Sequence, residues 1–304
     1  MVFLKKIIKN ALPYYFVKKY QATTWRDAFN SGGYYSPIPS MKEIMEHDFN
    51  APLPQLLPEI DLNSDGQINL LDSFEVFYNE LPFSDEKTEG FRYYFNNDAY
   101  RYADAIFLYC MLRHLKPKKI IEVGSGFSSC VTLDTNEKFM GNTINCTFID
   151  PYPQRLESLL KTNDNVNILK KRLQEIPIEV FSELGENDIL FIDSSHVSKF
   201  NSDVNYVIHE ILPALSRGVY IHFHDIHYPF EYPRKWLLDG WAWNEQYILR
   251  AFLQYNKSFK IVLFTSYLKK MYEEKIKNRF PLLYKSNNDN VWYSEGGSIW
   301  LKKM

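Results

Sequence analysis

From Asn96 onward, short apolar runs alternate with stretches whose apolar residues recur at helical spacing. The runs predict strands near residues 119–123, 145–150, 166–170, 188–193, 217–224, 259–264 and 297–301. The amphipathic stretches predict helices near 127–139, 152–161, 174–184, 201–214 and 243–256, and a further helix within 99–115 ends before Pro117. Strands that alternate with helices indicate βαβ units and a parallel sheet covered on both faces. The pattern therefore predicts an α/β domain over 96–304 with a mostly parallel, seven-stranded sheet.

Residues 1–95 lack this alternation and are rich in proline and tyrosine. We expect them to form an N-terminal cap or lid with short helices. The first nineteen residues carry several lysines among apolar positions, too early for a signal-peptide core. Two interpretations stay open for them: a helix packed on the body with a solvated lysine face, or a basic amphipathic helix in peripheral contact with a membrane.

One stretch of the cap, Asp61–Asp72, matches a calcium-binding loop at most ligand positions, with Asp72 where glutamate is usual. It has no second copy, and Pro58 comes shortly before it. The alternative is an Asx-rich turn that caps a helix beginning near Leu70. We expect the turn, and no functional calcium.

A tight glycine turn follows the first predicted strand, where Glu122-Val-Gly124-Ser125-Gly126 leads into a helix. Glycine lets the backbone turn sharply and approach a ligand, and the new helix points free N–H groups at it. A dinucleotide fingerprint requires Gly or Ala at the sixth position of G-x-G-x-x-G, where this chain has Ser129, which counts against a nicotinamide enzyme. The alternative is a turn that holds no ligand.

Acidic residues also end other predicted strands. Asp150 ends the second, where it suits either the two ribose hydroxyls of a nucleoside or a helix N-cap. Asp193 ends the fourth strand within Asp193-Ser-Ser-His196, and Asp225 ends the fifth. If these two strands are neighbours, both carboxylates converge and suit a divalent cation such as Mg²⁺, with His196 as general base. The alternative is a pair of capping aspartates with a solvated histidine.

The histidines of the fifth strand, His222 and His224, share one face opposite Asp225, and we expect at least His222 to be a packed, hydrogen-bonded core residue. The aromatic loop that follows, 228–243, either closes over a substrate or packs under the sheet edge. The third strand ends at Arg172-Leu173, so no acidic side chain is predicted at this strand end.

The composition of the chain indicates a folded domain and gives no sign of nucleic-acid binding. The 304 residues are 45% hydrophobic and 16% aromatic, enough for a full core, and the net charge of −2 gives no general attraction to nucleic acid. The three cysteines lack CxxC spacing and sit among apolar residues, which indicates reduced core cysteines in a cytoplasmic protein.

The pattern Glu122-x-Gly124-x-Gly126 resembles motif I of the class I S-adenosylmethionine-dependent methyltransferases, which are Rossmann-like. Asp193-Ser-Ser-His196 followed by Asp225 is similar to the metal-dependent sugar O-methyltransferases of macrolide pathways. Over residues 30–301 the chain also resembles a bacterial methyltransferase family found with glycan-assembly genes. The matching stretches are Tyr35–Pro39, Phe91–Phe95, Ile121–Ser129, Phe191–His196 and His222–Ile226.

The resemblance implies that Glu122, Gly124, Ser125 and Gly126 hold the methionine end of S-adenosylmethionine, with Asp150 at its ribose. It also implies that Asp193 and Asp225 bind a metal and that Asp193 and His196 are catalytic. We therefore expect a cytoplasmic methyltransferase that acts on a sugar, glycan or other small-molecule hydroxyl. The alternatives are a non-catalytic nucleotide-binding or scaffold protein of the same fold and, third, a nicotinamide dehydrogenase.

Overall fold

A seven-stranded sheet forms the centre of the computed structural model, which describes residues 29–285 and 296–304. Its strands are β1 (Lys119–Val123), β2 (Asn145–Ile149), β3 (Asn167–Leu169), β4 (Ile189–Ile192), β5 (Tyr220–His224), β6 (Phe259–Phe264) and β7 (Ser298–Lys303). The order is β3-β2-β1-β4-β5-β7-β6, and only β7 runs antiparallel to its neighbours. The predicted α/β fold with seven strands is confirmed.

Strand order reverses between β1 and β4, because the chain first builds outward through β2 and β3 and then returns. Right-handed crossovers in the two directions place helices on both faces of the sheet. In such sheets ligands lie at the carboxyl ends of the strands, at this switch point. The predicted site residues Gly124, Asp150, Asp193 and Asp225 each come directly after a strand at this edge.

The described residues also form twelve α-helices. They are α1 (Met41–Glu46), α2 (Ser64–Asn79), α3 (Tyr102–Leu115), α4 (Phe127–Phe139), α5 (Gln154–Leu159), α6 (Glu179–Ser182), α7 (Asp203–Tyr206), α8 (Leu212–Ala214), α9 (Arg234–Leu238), α10 (Glu245–Leu253), α11 (Thr265–Met271) and α12 (Glu273–Arg279). A π-helical segment, Val207–Ile211, joins α7 to α8, and 3₁₀ turns cover Leu173–Glu175 and Pro281–Tyr284.

Two helix predictions need correction, and two further helices were not predicted. The helix predicted at 174–184 is a 3₁₀ turn and the short α6, because Pro177 lies between them and cannot continue a helix. The helix predicted from Leu70 begins six residues earlier, at Ser64. Helices α11 and α12 were not predicted, since their charged sequence shows no clear apolar stripe.

The early start of α2 removes the calcium loop. Asp65 and Asp72 lie within the helix, so their carboxylates are not arranged around a loop. Asp61 instead accepts a hydrogen bond from the backbone N–H of Asn63 at 2.8 Å, as in an Asx turn. The side-chain amide of Asn63 donates to the carbonyl of Ile261 at 2.9 Å. The stretch therefore tethers α2 to β6.

The chain divides into two compact units. Within the described residues the smaller comprises 29–51 and 234–242, and the larger comprises 52–233, 243–285 and 296–304. The expected domain boundary at 95/96 thus falls inside the larger unit. The first nineteen residues, with their two interpretations, lie outside the described residues.

A buried ion network joins the segment before α3 to helix α4. The guanidinium of Arg92 donates to Asp134 at 2.6 Å, to Glu137 at 2.9 Å and to Asp164. Arg92 and Asp134 are both almost fully buried, so each charge requires the other. The network fixes the 91–95 stretch that precedes the sheet.

All three cysteines are free and buried in the core, as predicted. Among the described residues, the helices are too short or too polar to span a bilayer.

Candidate active site

The glycine turn after β1 owes its shape mainly to Gly124. Its φ of 81° lies in the left-handed region, and a Cβ there would lie 1.8 Å from the carbonyl oxygen of Asp193. Gly126 has an extended φ of 172°, and a Cβ there would meet only the side chain of Arg155, at 3.3 Å. The approach of β1 to β4 therefore requires Gly124, whereas the fold alone does not require Gly126.

Glu122 lies at the end of β1 with its side chain buried under the first turn of α4. One carboxylate oxygen accepts hydrogen bonds from the hydroxyls of Ser128, at 2.6 Å, and Ser129, at 2.9 Å. Burial raises the pKa of Glu122 to about 8, although both serines act in the opposite direction. The turn is thus tied to the helix that follows it.

Asp150 links the end of β2 to the same turn. Its Oδ2 accepts from the backbone N–H of Ser125 at 3.1 Å and from the hydroxyl at 2.8 Å, and its Oδ1 accepts from the N–H of Tyr152 at 2.7 Å. The N-cap interpretation is wrong, because α5 begins only at Gln154 and Pro153 is its N-cap. The carboxylate remains half-buried and faces a cavity.

That cavity has a volume of about 640 Å³. It lies at the carboxyl ends of β1, β2 and β4, at the switch point. Its lining includes Gly124, Ser125, Asp150, Arg172, Leu173 and Asp193. A cavity between the glycine turn and the ends of three strands is where a nucleoside-containing ligand binds in doubly wound sheets.

A second, larger cavity lies away from these groups. Its volume is about 820 Å³, and it is lined by residues beside the start of β2, among them Arg92, Glu137 and Lys161. None of the predicted site residues lines it. The predicted site residues therefore line the smaller of these two cavities.

Asp193, His196 and Asp225 come together beyond β4 and β5, which pair in parallel. One oxygen of each carboxylate and Nε2 of His196 lie within 4.8 Å of one another. Nε2 is 3.3 Å from Asp193 Oδ1 and 3.7 Å from Asp225 Oδ2. Two oxygens and an imidazole nitrogen are ligands that divalent cations accept, so these residues fit a metal ion.

Two of these residues adopt unusual backbone conformations. His196 has a φ of 57° and Asp225 a φ of 55°, the left-handed region that non-glycine residues rarely occupy. Such conformations cluster at functional sites. They also correct one prediction, because Asp225 does not continue the alternation of β5: its Oδ1 lies 3.6 Å from Nε2 of His224.

His222, in the middle of β5, is buried as predicted but is not hydrogen-bonded. Neither ring nitrogen has a hydrogen-bond partner among the described residues. Its ring stacks on Phe191 with centroids 3.9 Å apart. Burial, with His224 nearby, holds the pKa of His222 well below its usual value, so the ring packs as a neutral aromatic group.

Sequence reasoning missed the residue that holds His196. Glu245, the first residue of α10, places its Oε2 2.8 Å from Nδ1 of His196, and both side chains are almost fully buried. The ring of Trp243 lies against the imidazole, with centroids 4.4 Å apart. No sequence signal indicated this contact, because Glu245 lies 49 positions beyond His196.

In the cluster of Asp193, His196 and Asp225, burial and the neighbouring charges shift the pKa values in opposite directions. Desolvation would raise the pKa of Asp193, but the nearby His224 and the hydrogen bond from His196 lower it to about 2. Desolvation raises the pKa of Asp225 to about 6, against the effect of both histidines. Desolvation would lower the pKa of His196, yet the bonds to Asp193 and Glu245 raise it well above its usual value. The carboxylates thus favour a protonated His196.

The aromatic loop divides between the two predicted roles. Tyr228, Phe230 and Tyr232 are buried, and Phe230 packs on Phe264 at 5.3 Å. These residues follow the packing interpretation. Trp243, half-buried beside His196, is in a position to meet a substrate.

Comparison with known proteins gives a match for the part of the chain that contains most of the sheet. Residues 121–226, which run from β1 to just past β5, match the family model described as a methyltransferase domain. An uncharacterised protein of Archaeoglobus fulgidus is 29% identical over 167 residues, which cover 53% of this chain and 76% of that protein.

Solved structures with a similar chain course include methyltransferases. The S-adenosylhomocysteine-bound PaMTH1 of Podospora anserina is 14% identical, with a TM-score of 0.42, and covers 83% of this chain and 100% of its own. The plantazolicin methyltransferase BamL, also 14% identical with a TM-score of 0.42, covers 80% of this chain and 99% of its own. Residues 121–226 are therefore similar to a methyltransferase domain, and this similarity supports an S-adenosylmethionine-dependent methyltransferase.

Proposed function

We propose that this protein methylates a hydroxyl group of a sugar or glycan, with His196 as base and a divalent cation such as Mg²⁺ at Asp193 and Asp225. The observation that carries the proposal is the convergence of two carboxylates and one imidazole nitrogen within 4.8 Å. The cluster borders the cavity that contains the glycine turn, since Asp193 belongs to both.

S-adenosylmethionine supplies an electrophilic methyl group on a sulfonium when it is bound. Gly124, Ser125 and Gly126 would hold its methionine end, with Glu122 beneath the turn, and Asp150 its ribose. Both oxygens of Asp150 already accept hydrogen bonds from the chain. Oδ2 accepts twice from Ser125, so the remaining lone pair is on Oδ1, where one ribose hydroxyl can still donate.

The reaction joins the acceptor oxygen to the methyl carbon, releases a thioether and leaves one proton to be removed. A sugar hydroxyl is a weak nucleophile until that proton departs, and Nε2 of His196 is the nitrogen that would accept it. In the cation-free site the carboxylates favour the protonated imidazole. A divalent cation held by Asp193 and Asp225 would offset their charge and so favour the neutral base.

The acceptor class rests on the aromatic ring beside the base and on the resemblance to sugar O-methyltransferases. Trp243 lies half-buried against His196, where an aromatic face could stack on a sugar ring. The free, buried cysteines suit a reducing compartment, so we place the enzyme in the cytoplasm.

The test is methyl transfer from tritiated S-adenosylmethionine to a panel of nucleotide sugars, methyl glycosides, amines and thiols, with Mg²⁺ or with EDTA. We expect label in a hydroxyl-bearing sugar, located by mass spectrometry, and loss of transfer with EDTA. Transfer only to amines or thiols would contradict the acceptor class. Full transfer to a sugar in EDTA would remove the cation and leave positioning and His196 as the proposed catalysts.

A further inference from the structure

We propose that Glu245 is the positioning residue that gives His196 its reactive form, by holding the hydrogen on Nδ1 and leaving the lone pair of Nε2 directed at the site. This inference rests on the proposed function, since it concerns the base of that reaction. Its evidence, however, is the geometry around the imidazole.

The first step concerns the tautomer. A neutral imidazole carries its hydrogen on one nitrogen and a lone pair on the other. Oε2 of Glu245 lies 2.8 Å from Nδ1. The carboxylates of Asp193 and Asp225 lie farther from Nε2, at 3.3 Å and 3.7 Å. In the neutral ring the shorter contact with Glu245 therefore favours hydrogen on Nδ1 and the lone pair on Nε2.

The second step concerns the backbone. The N–H groups of Asn244 and Glu245, at the start of α10, both donate to the carbonyl of His196 at 3.1 Å. The side chain of Asn244 accepts from the N–H of Ser198 at 2.6 Å and donates to its carbonyl at 3.1 Å. The start of a helix therefore holds the loop in which His196 keeps its left-handed φ of 57°.

The third step concerns the second oxygen of Glu245. Oε1 is buried and has no hydrogen-bond partner among the described residues. A buried carboxylate is normally surrounded by donors, because an unmatched oxygen is destabilising. Since the hydrogen bond of this carboxylate within the described residues is the one to the imidazole, Glu245 directs its charge at His196. Such an arrangement stabilises the imidazolium that forms when a base takes a proton.

Glu245→Ala tests the proposal, and Asn244→Ala is the matched control. Both variants loosen the start of α10, but only the first removes the partner of the imidazole. For Glu245→Ala we expect kcat to fall about 100-fold or more while KM for the acceptor and affinity for S-adenosylhomocysteine change little. For Asn244→Ala we expect kcat within a few-fold of wild type. Equal losses of kcat in the two variants would mean that Glu245 only holds the loop.

A spectroscopic readout keeps this inference separate from the proposed reaction. In ¹⁵N-histidine-labelled, cation-free protein at high pH, long-range ¹H–¹⁵N spectra report which ring nitrogen carries hydrogen, and the His196 signal is assigned by its loss in His196→Gln. We expect the Nδ1–H form in wild type and in Asn244→Ala, and a shift toward Nε2–H in Glu245→Ala. A wild-type Nε2–H form, or an unchanged tautomer in Glu245→Ala, would overturn the proposal whatever the acceptor is.

Should Glu245→Ala fail to fold, Glu245→Gln takes its place. This variant keeps the side-chain volume and removes the charge, so the imidazolium loses its stabilisation. We expect at least about a 10-fold lower kcat, because a charge-assisted hydrogen bond becomes a neutral one. A Glu245→Gln enzyme with wild-type kcat would contradict the positioning role.

Discussion

The two sides of the site differ in how their acidic groups are satisfied. On the proposed cofactor side, Glu122 accepts from two serines of the helix that follows it, and Asp150 accepts from Ser125 and Tyr152. Ser128 and Ser129 lie just after the turn that carries Glu122, whereas Asp150 accepts from Ser125 of that turn and from Tyr152 of its own loop. On the other side, the carboxylates of Asp193 and Asp225 both face Nε2 of His196, at 3.3 Å and 3.7 Å.

The two sides of the site also differ in the segments that position their acidic groups. The cofactor side is set by the strand–turn–helix unit itself, so its shape persists without a ligand. The proposed catalytic side is assembled from three separate segments, after β4, after β5 and at the start of α10, and its two carboxylates share the imidazole of His196. We infer that the first side is preformed for binding, whereas the second keeps its charges available for a cation and a reacting hydroxyl.

His196→Ala gives the largest expected effect, because it removes a group only the catalytic side supplies. Loss of a general base typically lowers turnover about 10²–10⁴-fold, and affinity for S-adenosylhomocysteine should stay at the wild-type value. His209→Ala is the control, since that histidine is exposed on the π-helical segment. Near-normal turnover in His196→Ala would remove the base assignment and with it the division between the two sides.

The two glycines sharpen the comparison within the cofactor side. Gly124→Ala places a Cβ against the Asp193 carbonyl in a left-handed conformation, so we expect the free energy of unfolding to fall by about 2–5 kcal/mol. Gly126→Ala meets only the end of a flexible side chain and should leave stability nearly unchanged. If Gly126 lies beside the cofactor, Gly126→Ala instead lowers the affinity for S-adenosylhomocysteine. Equal stability of the two variants in denaturant titrations would contradict this account of the turn.

Asp150→Ala tests whether a preformed acid also binds the cofactor. Loss of charge-assisted hydrogen bonds should weaken S-adenosylhomocysteine binding by about 2–3 kcal/mol in calorimetry. Asp203→Ala is the control, because Asp203 lines the same cavity and accepts from the N–H and hydroxyl of Ser195 in the same manner. The assignment of Asp150 to the ribose fails if both variants bind alike.

The pattern of apolar residues predicted the strands of the sheet. The bounds of β1 and β6 were predicted to the residue, since their side chains alternate or run continuously between clear turn signals. The residues directly after four strands could also be identified, because parallel strands direct their ends to one edge. Local sequence could therefore predict both acids of the metal group and the glycine turn.

Other features depended on contacts that sequence does not encode locally. Glu245 is an ordinary first-turn acid until the fold brings it to His196. The left-handed φ of Asp225 reverses the expected side of its carboxylate, and His222 lacks the hydrogen bonds that its burial led us to expect. In each case the tertiary environment, rather than periodicity, decides the outcome.

The smallest expected effect concerns Glu122, whose burial raises its pKa to about 8 from a usual value of 4.5. Between pH 6 and pH 7 the unfolded chain carries this group ionised, whereas the folded, cofactor-free protein holds it protonated. Folding therefore takes up a proton, and the stability that this protonation contributes is full below about pH 4.5 and is lost as the pH rises through 8. From pH 6 to pH 7 we expect the free energy of unfolding of the wild type to fall by about 1 kcal/mol relative to that of Glu122→Gln. The glutamine cannot ionise but can still accept hydrogen bonds from Ser128 and Ser129.

Chemical denaturation of both proteins at pH 6 and pH 7 measures the difference. A difference that stays constant with pH would mean that Glu122 is ionised in the folded state, and that the turn holds a full negative charge ready for the cofactor's ammonium group.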